Sequence, residues 1–447
     1  MIITLIRPNL GINTHTAKPF VDKGAMEPLE MAVLAALTPS KHQIKFFDDR
    51  IETINYDEPT HLVGITVEIY TARRAYEIAT EYRKRNVKVV LGGMHPTLMP
   101  EEAACNADAV VAGDAETIWE KVIYDAEHHN LQPYYYGQPG IPHPKIIPRK
   151  DIYQLKNYMP YYLIQFGRGC RYACSYCAIS VYFNKNCYYR SVNDVIAEIE
   201  KQGTDFLFFV DDNIVAQPQL AKELFKALIP LKIKWMGQGS LDMTKDLELM
   251  RLMQKSGCLG NVIGFETVSE KGLKLLNKTP NIGISNNFSE QIKILNDHGL
   301  SNWAAFVIGH DSETEQTMQE TLQFALKHKF AFAAFNILMP YPKTELYNQL
   351  HSENRLLYDE KWWIHNDYKF NTAAFIPKNM TPEQLTKQCA ALKKEWSSFS
   401  SIITRTLNIR NLKSAAGITM LLRLNILFRI EALKKHKLKL GYTSKTL

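Results

Sequence analysis

No run of this chain is long and apolar enough to read as a membrane span: the best candidate, Ile418 to Leu433, is interrupted by Arg423, Asn425 and Arg429, whereas a span needs about 20 mostly apolar residues. Cysteine is scarce, seven among 447 residues. Three of them crowd into one short loop, which excludes a secreted disulfide framework and suits a reducing cytosol. The opening Met1-Ile2-Ile3-Thr4-Leu5-Ile6-Arg7-Pro8 has no basic leader and too short an apolar run for a signal peptide, so a buried first strand is expected there. Acidic residues nearly vanish from the end: from Ile402 onward ten Lys/Arg face Glu431 alone, a charge of +9, while the remainder sums to −2. Any basic surface therefore concerns the tail. Without a base-reading module beside it, nucleic acid is not the expected partner. The rest, with 46% hydrophobic and 22% charged residues overall, reads as a globular chain long enough for two or three domains.

What is present is concentrated at Phe166-Gly167-Arg168-Gly169-Cys170-Arg171-Tyr172-Ala173-Cys174-Ser175-Tyr176-Cys177. Cysteines spaced by three and then two residues on a glycine-flanked loop can wrap one metal cluster, and a zinc knuckle is the other use of such a loop. Iron–sulfur clusters take four cysteines, so three with no close fourth leave one iron open for a small molecule. Cys187, Cys258 and Cys389 are widely separated and Cys105 stands alone, which gives no spacing for a second cluster.

This motif closely resembles the signature of the radical S-adenosylmethionine (SAM) enzymes. By that resemblance Cys170, Cys174 and Cys177 hold a [4Fe-4S] cluster, SAM chelates the open iron, and an electron from the cluster cleaves SAM to a 5′-deoxyadenosyl radical. The electron would come from an external flavodoxin- or ferredoxin-type donor.

Ahead of the motif, short apolar strands alternate with amphipathic helices. Strands are expected at Ile2–Ile6, Gln43–Phe47, Leu62–Val67, Val87–Leu91 and Ala109–Val111, and helices at Met26–Leu37, Ala72–Lys84 and from Trp119. That pattern predicts a doubly wound parallel sheet whose strand carboxyl ends carry the Gly, Asp and Asn punctuation and bind ligand. Gly92-Gly93-Met94-His95-Pro96-Thr97 and Ala112-Gly113-Asp114-Ala115-Glu116 make it resemble the cobalamin-binding domain found ahead of many radical SAM domains. The resemblance implies cobalamin held by Asn9, Thr66, Gly92, Gly93, His95, Gly113 and Glu116. Asp-x-His-x-x-Gly, the motif that ligates cobalt through histidine in methionine-synthase-like domains, is missing, so cobalt with no protein imidazole below it is expected. His95 is the nearest candidate ligand.

After a proline-rich stretch the alternation resumes, with strands near Leu163–Phe166, Asp205–Val210, Lys232–Met236, Asn261–Ile263, Trp303–Ile308 and Ala334–Leu338. Polar residues again follow the strands, as at the active face of a parallel barrel. The fold class expected is α/β: a doubly wound sheet over 1–128, a linker over 129–158, a partial (β/α)6 radical SAM barrel over 159–350 and a helical C-terminal region over 351–447. By the resemblance, Asp211 and Asp212 lie near the SAM amine, although a helix N-cap at Asp212 or Asn213 suits them equally. Glu266, in Gly264-Phe265-Glu266-Thr267, belongs to the SAM and substrate pocket. Gln238 and Ser240 would reach the SAM carboxylate or ribose, and Tyr176 and Gly309 the adenine.

The expected activity is cobalamin-dependent C-methylation of an unactivated carbon in a small-molecule or lipid-like substrate. A cyclase or oxidoreductase using the first domain as scaffold, and an iron–sulfur carrier or sensor without catalysis, are the other readings. The expected location is cytoplasmic. Lys434, Lys435, Lys437 and Lys439 leave the tail open to peripheral contact with an anionic membrane, or to serving as a packing helix with a solvated basic end.

Overall fold

The computed structural model describes residues 1–14, 16–142, 146–407 and 415–442, with the side chains of all but 415–417. Pro144 of the expected linker, and Arg410, Lys413 and Lys445 of the basic tail, lie outside the described residues. The chain divides into two compact units: Met1–Met159, Tyr358–Phe370 and the chain from Lys434 on form the first, and Pro160–Leu357 with Asn371–Leu433 form the second.

The first unit is built on a six-stranded, wholly parallel sheet in the order Gln43–Asp48, Ile2–Arg7, Leu62–Thr66, Lys88–Gly92, Ala109–Ala112, Tyr134–Tyr136. Leu62–Thr66 and Ala109–Ala112 are buried at every residue, which explains their unbroken apolar runs, since a strand covered on both faces has no polar side to alternate with. Trp119 packs into the core with Leu5, Met31 and Val122, and its indole N–H donates to Thr38 Oγ1 at 3.0 Å. Gly64 makes room for that ring: a Cβ there would sit 3.2 Å from it.

Two expectations need correction. The stretch expected as a linker over 129–158 contains the sixth strand, Tyr134–Tyr136. Pro133 closes its amino end without breaking the ladder, because the proline supplies a carbonyl, to Val110 N at 2.9 Å, and no N–H is required of it. Nor do residues 351–447 form a separate region. Trp362, Trp363 and Tyr368 are fully buried in the first unit, where Tyr70 meets the Trp362 and Phe370 rings at 4.9 and 5.0 Å. Lys439–Leu440 pairs antiparallel with Gly11–Ile12, and the Arg74 guanidinium lies 3.6 Å from the centre of the Tyr442 ring.

The second unit carries another parallel six-stranded sheet, in plain chain order: Tyr162–Ile164, Phe206–Phe209, Lys234–Gly239, Cys258–Glu266, Trp303–Ile308, Phe332–Ile337. Its first and last strands are the two ends of the sheet, so it is an open, partial barrel. Helices Val192–Gln202, Pro218–Leu228, Leu247–Lys255, Phe288–Asp297 and Glu315–His328 follow successive strands. Their starts are fixed locally; Ser191 and Asp246, for example, accept the N–H of Asp194 and Leu249. Past the barrel, Thr381 and Gln384 form a capping box at the head of helix Pro382–Trp396. Helices Phe399–Thr406 and Ala415–Lys435 follow.

Candidate functional site

The cysteine loop leaves the carboxyl end of the first barrel strand. Gly167–Gly169 then pairs antiparallel with Cys187–Tyr189, and a Cβ on Gly169, whose φ is +86°, would lie 2.0 Å from the Asn186 carbonyl oxygen, so only glycine lets the two strands meet there. Beyond it the three sulfurs share one neighbourhood: the charges of Cys177 and Cys170 both act on Cys174. Burial pushes the Cys174 thiol up to about 11 and raises Cys177 too, so ionising these thiols takes a partner that repays desolvation. Asn213 Nδ2 points at Cys170 Sγ from 3.8 Å and donates to Ser240 Oγ at 3.1 Å.

Opposite the loop, the strand Cys258–Glu266 ends in an irregularity, with a register shift between Gly264 and Glu266, and Glu266 itself takes a φ of +67°. Such backbone costs on the order of 1–3 kcal/mol at a residue other than glycine. The conformation turns the Glu266 carboxylate onto Lys278 Nζ at 2.7 Å, both side chains being largely buried, and onto the Tyr176 hydroxyl. A Cβ on Gly264 would lie 2.1 Å from Glu266 Oε1 and 2.7 Å from Lys278 Nζ, so the glycine in this turn is what admits the ion pair. Burial works against the Lys278 ammonium, but the Glu266 carboxylate and the Cys174 and Cys177 sulfurs outweigh it and its pKa is raised.

Lys278 is a candidate site residue that the sequence did not mark. It stands after a short helix, in a segment with no periodicity to mark it. Its neighbours tie that segment to the loop: Asn277 Nδ2 donates to the Ala173 carbonyl at 2.7 Å, Ser175 N to the Leu276 carbonyl at 3.1 Å, and Asn281 Nδ2 to the Gly264 and Phe265 carbonyls.

Several expected SAM contacts fall elsewhere. Asp211 accepts the backbone N–H of Phe166 and Gly167, and Asp212 that of Gly169. These carboxylates therefore brace the strand leading to Cys170 and are not directed at a SAM amine. Nor do they cap a helix, since the next one starts at Pro218 behind Gln217. Gln238 donates to the Asp211 carbonyl at 3.3 Å. Gly309 is also displaced from its expected role: a Cβ there would meet Leu385 at 2.7 Å, so its open side faces helix Pro382–Trp396. Tyr176, Ser240 and Glu266 do gather near the three cysteines.

In the first unit, Thr66, Gly92, Gly93 and Gly113 stand at the carboxyl ends of three adjacent strands. The three glycines are partly exposed; a Cβ on Gly93 would lie 3.0 Å from Val67 N and one on Gly113 2.0 Å from the Gly137 carbonyl oxygen, so at these two the missing side chain admits neighbouring backbone. Glu116 lies half-buried in the turn after Gly113. Asn9 does not join them. It is buried, and its side-chain amide holds the Phe20 and Asp49 carbonyls and the Tyr442 hydroxyl. His95 is also withdrawn: it is wholly buried, and its Nε2 meets Tyr76 Oη at 3.0 Å and Glu102 Oε1 at 3.1 Å. Trp363 Nε1 donates to the same Glu102 oxygen. A histidine so engaged is part of the packing.

Two family models match the chain, "Radical SAM superfamily" over residues 164–325 and "B12 binding domain" over residues 23–123. The chain is a radical SAM enzyme with a B12-binding domain. It is similar to two Chlorobaculum tepidum proteins, bacteriochlorophyllide d C-12(1)-methyltransferase, 27% identical over 86% of this chain and 86% of that one, and bacteriochlorophyllide d C-8(2)-methyltransferase, 28% identical over 85% and 87%. Among solved structures, the radical SAM methyltransferase TsrM from Kitasatospora setae, with cobalamin and a [4Fe-4S] cluster bound, superposes with a TM-score of 0.62 at 16% identity, covering 79% of this chain and 78% of that one.

The residues of this radical SAM enzyme fit both groups. Cys170, Cys174 and Cys177 would hold the cluster. The partly exposed backbone at Gly92, Gly93 and Gly113, at the carboxyl ends of adjacent strands, would face a corrin. A bound cluster supplies the electron that cleaves SAM, and bound cobalamin supplies a methyl group.

The barrel mouth of this radical SAM enzyme also buries a pair of titrating groups. Burial pushes the His310 imidazole down to about 4 and the Glu313 carboxyl up to about 7, so their 3.2 Å contact joins a neutral acid to a neutral base. Thr317 Oγ1 donates to the other Glu313 oxygen at 2.6 Å. Between pH 4.5 and about 7 the folded protein keeps a proton on Glu313 that the unfolded chain has released. The stability this contributes is full below the unfolded pKa and is lost as pH rises through the folded one. Glu313→Gln cannot titrate. Relative to the parent it should therefore gain up to about 3 kcal/mol between about pH 5 and about pH 8, read from urea unfolding at both values.

Proposed function

We propose that this enzyme transfers a methyl group to an unactivated carbon of a small molecule, using cobalamin and SAM, with electrons delivered singly by a flavodoxin- or ferredoxin-type protein. The observation that carries this reading is the Glu266–Lys278–Tyr176 group set against Cys174 and Cys177 in one unit, together with a B12-binding domain in the other. A carrier or sensor of electrons has no use for a buried ion pair held ready beside an open coordination position. The relatives act by their names on bacteriochlorophyllides, which favours a large apolar ring system as methyl acceptor over a peptide.

In this reading Lys278 and Glu266 present one charge of each sign beside the cysteines, complementary to the carboxylate and ammonium of SAM, while Asp211 and Asp212 fix the strand that carries Cys170. The test is an anaerobic reaction with reductant, cobalamin and SAM labelled with deuterium in its methyl group. Methyl transfer releases 5′-deoxyadenosine and S-adenosylhomocysteine together, with the label in the acceptor. 5′-Deoxyadenosine without S-adenosylhomocysteine, at saturating cobalamin and with an acceptor that is itself converted, would show that the B12-binding domain is scaffold only.

A further inference from the structure

Exposed apolar side chains occur singly on most protein surfaces and mean little. Here they cluster. Among the described residues, eight of the eighteen large apolar side chains exposed to solvent fall within 399–433. On helix Phe399–Thr406 and the residue after it, Phe399, Ile403 and Leu407 are spaced four apart, so they form one stripe, and they are 60%, 50% and 54% exposed. On helix Ala415–Lys435, Met420, Arg423, Ile426, Ile430 and Leu433 recur at intervals of three and four and are all exposed. The helices are in contact: Arg405 Nη1 donates to Asn425 Oδ1 at 3.1 Å, and the Arg429 guanidinium lies 4.8 Å from the Phe399 ring centre.

The second helix is inside out. Its Asn425 and Glu431 are buried while its Ile426 and Ile430 face outward. A helix made for water would reverse that. Burial of Glu431 also takes from the surface the one Asp or Glu among the described residues after Ile402, while Arg423 and Lys434 stay exposed on the same helix. An apolar face with the exposed Arg423 within the stripe and the exposed Lys434 at the end of the helix is complementary to a surface that is apolar beneath and anionic above. No helix among the described residues is long and apolar enough to cross a membrane, so contact would be made from one side.

We propose that the face formed by helices Phe399–Thr406 and Ala415–Lys435 docks on an anionic lipid bilayer, with Phe399, Ile403, Ile426 and Ile430 entering the headgroup boundary and the Arg423 and Lys434 side chains of the second helix meeting lipid phosphates. The proposal is independent of methyl transfer, since it rests on the helical pair alone. The probe is flotation of the full-length reconstituted enzyme with vesicles of phosphatidylcholine containing about 30% phosphatidylglycerol. Binding should be at least about tenfold weaker on pure phosphatidylcholine, and similarly weakened in about 0.5 M salt. Ile426→Ser/Ile430→Ser should lower binding at least about fivefold, while iron content and the unfolding midpoint stay those of the parent, because both side chains already face solvent. Equal recovery with neutral and anionic vesicles, or undiminished binding by the double variant, overturns the proposal. So does a dimer, found by light scattering, that Ile426→Ser/Ile430→Ser splits, because a second copy would then own this face.

Discussion

A Lys278→Met enzyme should unfold at least about 3 kcal/mol more easily than the parent, because the substitution strands the Glu266 carboxylate in a buried site without its counter-charge. The pair is close, at 2.7 Å, and the two side chains are 14% and 7% exposed, so solvent screens little of the loss. A second substitution separates stability from function. In Lys278→Met/Glu266→Gln no charge is left to strand, and most of the stability should return. Cleavage of SAM should not, and should stay at least about a hundredfold below the parent. The ammonium also acts on the Cys174 and Cys177 sulfurs. A positive charge there favours the reduced, more negative state of any cluster they hold, and Lys278 acts on Cys174 more strongly than the opposing Glu266 carboxylate, so the midpoint potential of the double variant should be lower than the parent's. Urea unfolding, 5′-deoxyadenosine release and a redox titration check the three statements. A Lys278→Met enzyme with unchanged stability and turnover would remove Lys278 from the site.

The fold was largely legible where local rules decide it. Trp303–Ile308 and Ala72–Lys84 lie where periodicity places them, because a buried parallel strand is an unbroken apolar run and an amphipathic helix repeats every three to four residues. Long-range closure was hidden. Nothing in Lys439–Leu440 announces a partner at Gly11–Ile12, and the Trp362–Trp363 pair says that it is buried without saying where. The cysteine loop was readable because its spacing carries its chemistry. Asp211 and Asp212 were misread because an acidic pair facing backbone amides has the same sequence as one facing a ligand. Lys278 was invisible for the opposite reason. Its importance comes from the gap over Gly264 and the positive φ of Glu266, both of which exist only once the strand irregularity has formed.

Replacing Cys174 by alanine should remove the cluster and leave the protein folded. In the metal-free chain its thiol is neutral, pushed up to about 11 by burial, so the substitution strands no charge and loses only a small polarisable group from a packed site. Unfolding of the metal-free variant should therefore stay within about 1 kcal/mol of the metal-free parent. Its iron and sulfide after anaerobic reconstitution should fall to less than about a tenth of the parent's, and 5′-deoxyadenosine release should drop below detection, because a cluster left with two thiolates loses the anchor that fixes its open iron. Cys258 and Cys389 supply the contrast. They are at least as deeply buried, with thiols also raised by burial, yet Cys258 is held by the Gly260 carbonyl and Asn261, and Cys389 by the Phe335 carbonyl. Alanine at either should leave iron content at the parent's level. Iron lost from Cys258→Ala as completely as from Cys174→Ala, or retained by Cys174→Ala together with SAM cleavage, would contradict the assignment of the three-cysteine loop.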